Sequence, residues 1–151
     1  MKIFIASDHG GFRLKEELKK YLSAQRWDYL DLGPKKYQSQ DDYPDFAYAL
    51  AKKVAANSGS RGILVCRNGI GVCIVANKVK GIRAVSTNLP GIAKTARADD
   101  DTNVLCLGQD FTSLAQARKV VKVWLTTNFS GIKRHQRRIN KVRKIDQGKK
   151  P

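Results

Sequence analysis

The sequence predicts a single α/β domain in which a parallel sheet is covered by helices on both faces. Three observations predict it. Short apolar runs alternate along the chain with longer segments whose apolar residues recur every three or four positions. The run Gly62 to Cys66 is apolar without a break, as in a strand buried on both faces. Turn signals such as Gly33-Pro34, Ser58-Gly59-Ser60 and Asn68-Gly69 punctuate the alternation. The length of 151 residues fits one domain with a sizeable core, and no internal repeat or second domain is visible.

The elements follow in order. Lys2 to Ser7 reads as a first strand. Gly11 to Gln25 reads as an amphipathic helix with Leu14, Leu18, Tyr21 and Leu22 on one face. Asp28 to Leu32 is a second strand, closed by Gly33-Pro34. After a polar loop, Asp45 to Asn57 forms a helix with Phe46, Leu50 and Val54 four apart. The strand Gly62 to Cys66 leads through the turn Asn68-Gly69-Ile70-Gly71 into a helix reaching Lys78. Ile82 to Ser86 is a fourth strand, and Leu89 to Ala98 a helix that Pro90 can begin. Val104 to Leu107 is the fifth strand. Ser113 is placed to cap a helix running to Thr126. Arg134 to Ile145 reads as a last helix, with a thin apolar stripe of Ile139, Val142 and Ile145.

Composition excludes several classes. Every hydrophobic stretch is broken by Lys, Gly, Asn or Asp, so none is long enough to span a bilayer. The apolar start, Met1 to Ser7, runs straight into Asp8-His9 and is too short for a signal sequence, so a cytoplasmic location is expected. The three cysteines, Cys66, Cys73 and Cys106, form no Cys-x-x-Cys pair, which argues against a disulfide framework or a cysteine-rich zinc site. The net charge of +16 is concentrated at the end of the chain. Lys133, Arg134, Arg137, Arg138, Lys141, Arg143, Lys144, Lys149 and Lys150 stand there against the single acid Asp146. Such a tail can neutralise nucleic-acid phosphates, but no nucleic-acid motif or aromatic stacking platform accompanies it. A small phosphate site using Arg134 and Arg138, with the other charges solvated, is the favoured reading.

Parallel α/β sheets bind ligands at the carboxyl ends of their strands. Applied to the sequence, that rule selects Asp8-His9, Asp42-Tyr43, Cys66 to Gly71, and the stretch from Asp99 to Asn103. The glycines after His9 let a ligand approach the backbone. The turn Cys66-Arg67-Asn68-Gly69-Ile70-Gly71 joins a buried strand to a helix, so backbone N–H groups can cradle an anion there. It lacks the Gly-Lys-Ser/Thr of a Walker loop and the third glycine of a dinucleotide fingerprint. A helix start, and Arg67 if it turns inward, favour the thiolate of a neighbouring cysteine, and a thiolate can act as general base on a C–H proton. A buried structural role is the alternative for Cys66. Arg134 and Arg138 are four apart on the last helix, so both project from one face.

Several blocks together resemble the ribose-5-phosphate isomerase B and galactose-6-phosphate isomerase family. They are Ser7-Asp8-His9-Gly10-Gly11-Phe12, Asp42-Tyr43-Pro44, Gly62 to Lys78, Gly81-Ile82-Arg83-Ala84, Asp101-Thr102-Asn103-Val104 and Arg134-His135-Gln136. The resemblance implies a Rossmann-like three-layer α-β-α sandwich with a five-stranded parallel sheet. It implies a homodimer, or a tetramer, with active sites shared between subunits. The implied activity interconverts an aldose phosphate and a ketose phosphate, ribose 5-phosphate and ribulose 5-phosphate first, through a cis-enediol and without metal or organic cofactor. Cys66 would be the base, the N–H groups of Gly69, Ile70 and Gly71 would hold the enediolate oxygen, and His9, Arg134 and Arg138 would hold the phosphate. Asp8 and Tyr43 belong to the same substrate-binding blocks.

Five positions depart from the family pattern. Arg67 stands where glycine is usual, and Asn68 where threonine or serine is usual. Asp99 takes the place of the ring-opening histidine, Asp100 that of an asparagine, and Asp110 that of an arginine. Asn68 and Asp99 thus occupy catalytic positions, and Arg67 and Asp100 substrate-binding ones. The aspartates bring negative charge towards an anionic substrate, and a carboxylate is a weaker acid catalyst near neutrality than imidazole. Three readings follow: a ribose-5-phosphate isomerase with altered ring opening, an isomerase of another phosphosugar, or a member that binds without turnover.

Overall fold

The computed structural model describes all 151 residues. Five strands form one parallel sheet: β1 (Ile3–Ser7), β2 (Tyr29–Asp31), β3 (Arg61–Cys66), β4 (Ala84–Ser86) and β5 (Val104–Gly108). Six α-helices surround it: α1 (Phe12–Ala24), α2 (Tyr43–Ala56), α3 (Ile70–Ala76), α4 (Pro90–Asp100), α5 (Leu114–Thr126) and α6 (Lys133–Asp146). The strand order is β2-β1-β3-β5-β4, and every pairing is parallel. The predicted α/β fold is therefore the observed one.

Alternation along the strands splits the core in two. Ile3, Ile5, Ile63, Val65, Leu105 and Leu107 face the layer containing α1 and α5, where Leu14, Leu18, Leu22, Val120, Val121 and Trp124 meet them. Phe4, Ala6, Leu64, Cys66, Val104 and Cys106 face α2 and α3, packing on Leu50, Val54, Val72 and Ala76. Cys106 is fully buried, whereas Cys73 is only partly covered. No helix is long and apolar enough to cross a membrane.

Most predicted boundaries lie within three residues of those observed. Ser113 caps α5 as expected, its side chain accepting from the Gln116 N–H. The differences have local causes. A 3₁₀ turn over His9–Gly11 precedes α1, closed by the Asp8 carboxylate accepting the Gly11 N–H at 2.9 Å. The helix expected to reach Lys78 stops at Ala76; Asn77 caps it, its backbone N–H still donating to the Cys73 carbonyl while its side-chain amide donates to the Ala84 carbonyl. The fourth strand starts at Ala84 rather than Ile82, since the Arg83 N–H is taken by the Asn103 side chain and not by a strand. In α6 only Ile139 of the apolar stripe is buried, and Val142 and Ile145 stay exposed.

Candidate active site

The sheet order changes direction between β1 and β3, and chemistry-bearing residues gather at the carboxyl ends of these neighbours. β1 delivers Asp8 and His9, and β3 delivers Cys66 and Arg67. The two turns touch: a methyl group on Gly10 would lie 3.1 Å from the Arg67 Cβ.

After β3 the chain turns sharply at Gly69, whose φ of +78° suits glycine, into α3. The turn is organised around sulfur and amide. The Gly69 N–H donates to Cys66 Sγ at 3.0 Å, and the Asn68 Oδ1 accepts the Ile70 N–H at 3.0 Å and lies 3.6 Å from Cys66 Sγ. Tyr43, the first residue of α2, closes the other side, because a methyl on Gly71 would come within 2.8 Å of its ring. A glycine is needed there for the tyrosine to lie against the start of α3.

His9 is held by a residue that sequence reasoning passed over. Asp41 Oδ1 accepts from His9 Nδ1 at 2.7 Å and from the His9 backbone N–H at 2.8 Å. That carboxylate raises the imidazole above its ordinary pKa, which favours the protonated ring. Burial pushes the Asp8 carboxyl up as well, despite the Gly11 N–H it accepts. Asp41 lies 32 positions from His9 in a loop without periodicity; its only advance signal was its place one residue ahead of Asp42-Tyr43.

A cleft of about 460 Å³ opens beside the glycine turn, lined by Asn68, Ile70, Ser86, Thr87, Asn88 and Phe111, among others. Ser86 to Asn88 were also missed. Ser86 ends β4 and Thr87 and Asn88 follow it, so the rule that selected Cys66 could have selected them.

The same rule misplaced Asp99 to Asn103. α4 runs back from the carboxyl edge, so Asp99 and Asp100 occupy its last turn at the amino ends of the strands. The Asn103 carbonyl accepts the N–H of Gly62, near the start of β3, and Arg83 donates to the Asp100 and Asp101 carbonyls. Arg134 and Arg138 lie at this far edge too. Asp99 Oδ1 is 3.5 Å from His135 Nδ1 on α6, and Asp100 and Arg138 share a cleft of about 480 Å³. Within one chain the predicted residues thus form two groups. Asp8, His9, Tyr43, Arg67, Asn68, Gly69, Ile70 and Gly71 surround Cys66, while Asp99, Asp100, Arg134 and Arg138 cluster at the opposite end of the sheet. Arg67 does not turn towards Cys66; its guanidinium lies 3.7 Å from Asp110 after β5.

Residues 3–142 match the family described as Ribose/Galactose Isomerase. The chain belongs to this family.

Among its relatives is the probable ribose-5-phosphate isomerase B of Mycoplasma genitalium, 46% identical over 141 residues, covering 93% of this chain and 92% of the relative. Another is D-erythrulose-4-phosphate isomerase 2 of Mycolicibacterium smegmatis, 39% identical over 131 residues, with 85% of this chain and 86% of the relative covered. The crystal structure of the Mycoplasma genitalium ribose-5-phosphate isomerase B with bound ribulose-5-phosphate superposes with a TM-score of 0.93 at 44% identity, covering 97% of this chain and 96% of that one. Like the rest of the ribose/galactose isomerase family, the chain is an isomerase with a Rossmann-like three-layer architecture.

Proposed function

We propose that this chain interconverts ribose 5-phosphate and ribulose 5-phosphate, with Cys66 carrying the proton between C2 and C1. The observation that carries this reading is the Cys66 sulfur, held at 3.0 Å by the Gly69 N–H between the His9 turn and the glycine turn. In the aldose-to-ketose direction the thiolate takes the C2 proton. The electron pair forms C1=C2, and the charge moves to the C1 oxygen. The N–H groups of Gly69 to Gly71 are assigned to that oxygen, those of Gly69 and Ile70 first leaving the Cys66 Sγ and the Asn68 Oδ1 to which they donate. A proton passes through solvent from the C2 hydroxyl to the C1 oxygen by way of the cis-enediol, C2=O forms, and the Cys66 thiol returns its own proton to C1. Asn68 contributes as a hydrogen-bonding group, because an amide cannot exchange protons as a hydroxyl can.

His9 holds the phosphate by charge, and Asp8 and Tyr43 shape the floor around it. Arg134 and Arg138 are also assigned to the phosphate. They lie at the wrong end of their own sheet, so the site is completed by a second copy, which brings its α6, Asp99 and Asp100 to Cys66. Ile70, Ile74, Leu89 and Ile92 expose about half or more of their surface and offer apolar area for that dimer. Asp99 of the partner subunit then acts as the base in ring opening. No metal or organic cofactor enters these steps, and a cytoplasmic sugar pathway is the expected setting.

A different phosphosugar is the alternative, favoured by the similarity to an erythrulose 4-phosphate enzyme. Initial rates with ribose 5-phosphate, allose 6-phosphate, galactose 6-phosphate and erythrulose 4-phosphate decide between them. Highest kcat/KM on ribose 5-phosphate is expected. Phosphosugar binding without turnover of any would contradict the catalytic reading.

A further inference from the structure

At the far edge of the sheet, α6 carries a buried histidine between two polar neighbours. His135 is only 4% exposed, while Arg134 beside it is open to solvent. The Arg134 Nε lies 3.0 Å from His135 Nε2, and the Ser130 hydroxyl lies 3.0 Å from His135 Nδ1. Asp99 Oδ1 stands 3.5 Å from the same Nδ1, too far for a good hydrogen bond but close enough to favour a proton there.

These partners fix the proton. A guanidinium can only donate, so Nε2 must be the accepting nitrogen. The ring proton is then on Nδ1, where Ser130 can accept it and Asp99 attracts it. Ser130 Oγ also lies 3.4 Å from the Ile132 N–H, and the Ser130 N–H donates to the Ala98 carbonyl, so the hydroxyl is tied to the ends of α4 and α6. The result is a line from Asp99 and Ser130 through the imidazole to one edge of Arg134. Arginine is a long, rotamer-rich side chain, and holding it by Nε leaves its terminal nitrogens for a ligand with less freedom to lose on binding.

We propose that His135 is a positioning residue for Arg134, which aims the guanidinium at the substrate phosphate. The inference rests on the assignment of Arg134 to the phosphate above. It gives Asp99 a second task within its own chain, as a group that keeps the His135 proton on Nδ1.

Two substitutions separate positioning from mere packing. Glutamine can put its Oε1 near the place of Nε2 and accept from Arg134. Asparagine reaches only the Nδ1 position, so it can serve Ser130 but leaves Arg134 unheld. Steady-state kinetics with ribose 5-phosphate should show KM raised about fivefold or more in His135→Asn with kcat little changed, the pattern of lost uniform binding. His135→Gln should bring KM back to within about twofold of the unmodified protein. Thermal midpoints of both variants report the fold, and the ¹⁵N shifts of the His135 ring in the unmodified protein report the tautomer. Equal KM in both variants, raised or not, would overturn the positioning role, and so would a proton found on Nε2. If the unmodified protein neither binds nor turns over ribose 5-phosphate, the functional reading fails first, and the tautomer measurement still shows whether the Arg134–His135 contact exists.

Discussion

The Arg67 guanidinium lies 3.7 Å from the Asp110 carboxylate, and the two residues are joined again where the Asp110 N–H donates to the Arg67 carbonyl at 3.0 Å. Two departures from the family pattern therefore meet each other in space. Both side chains are substantially exposed, 67% and 45%, so the ion pair itself contributes little to stability. Its importance lies in charge: Asp110 neutralises an arginine that stands next to Cys66.

Removing that carboxylate should free Arg67 for an anionic ligand. Asp110→Asn is expected to lower KM for the phosphosugar about threefold at low ionic strength, with the gain shrinking in high salt as screening increases. KM that is unchanged, or that changes equally at every salt concentration, would show that Arg67 and Asp110 do not act on the substrate.

His9 gives a pH signature. Its folded-state pKa is raised, chiefly by the hydrogen bond it donates to the Asp41 carboxylate. The stabilisation from that contact is fully present below the ordinary histidine value of 6.5 and is lost as pH rises through the raised value. Phosphosugar affinity should fall through the same window. Asp41→Asn should move the fall down towards 6.5, read as KM against pH beside the unmodified protein, whose shared phosphate ionisation cancels in the comparison. Superimposable profiles would remove His9 from the phosphate site.

The two separated groups of residues predict complementation. Cys66→Ala and Arg134→Ala variants should each be nearly inactive. Co-expressed or unfolded and refolded together, they should recover activity, because a mixed dimer holds one site with Cys66 from one chain and Arg134 from the other. Random pairing of equal amounts leaves about a quarter of sites intact. No recovery, from a mixture shown to contain mixed dimers, would place Cys66 and Arg134 in separate functions.

Asp99→His tests ring opening. An ionised carboxylate can accept the anomeric proton but cannot deliver one to the ring oxygen, whereas imidazole does both near neutral pH. The substitution should raise the initial rate from ribose 5-phosphate more than the rate from ribulose 5-phosphate, which cannot close to a furanose. No gain in either direction, with the fold intact, would show that ring opening is not what limits this enzyme.

The fold was readable because each strand and helix declares itself locally. The unbroken apolar run to Cys66, the spacing of Leu14, Leu18 and Leu22, and the Ser113 cap need no knowledge of the rest of the chain. The carboxyl-edge half of the site followed from the same local order, since Asp8-His9 and Cys66 to Gly71 directly follow strands. The other half did not. Asp99 was assigned to the carboxyl edge although it precedes β5, and one chain's topology sends it to the opposite end. The proposed sharing of the site between two copies would leave no mark in the strand order of either. Asp41 was missed for a related reason: its contact with His9 spans 32 residues and depends on how an aperiodic loop folds back.

Hydrogen exchange at the reacting carbons tests the central claim most directly. Ribose 5-phosphate incubated with the protein in D₂O should yield ribulose 5-phosphate carrying deuterium at C1, to the extent that the Cys66 proton exchanges with solvent before return, and the recovered aldose should gain deuterium at C2, both visible by NMR. Cys66→Ala should abolish turnover and deuterium uptake while still binding the sugar phosphate. Isomerisation and exchange persisting at comparable rates without the Cys66 sulfur would contradict the account.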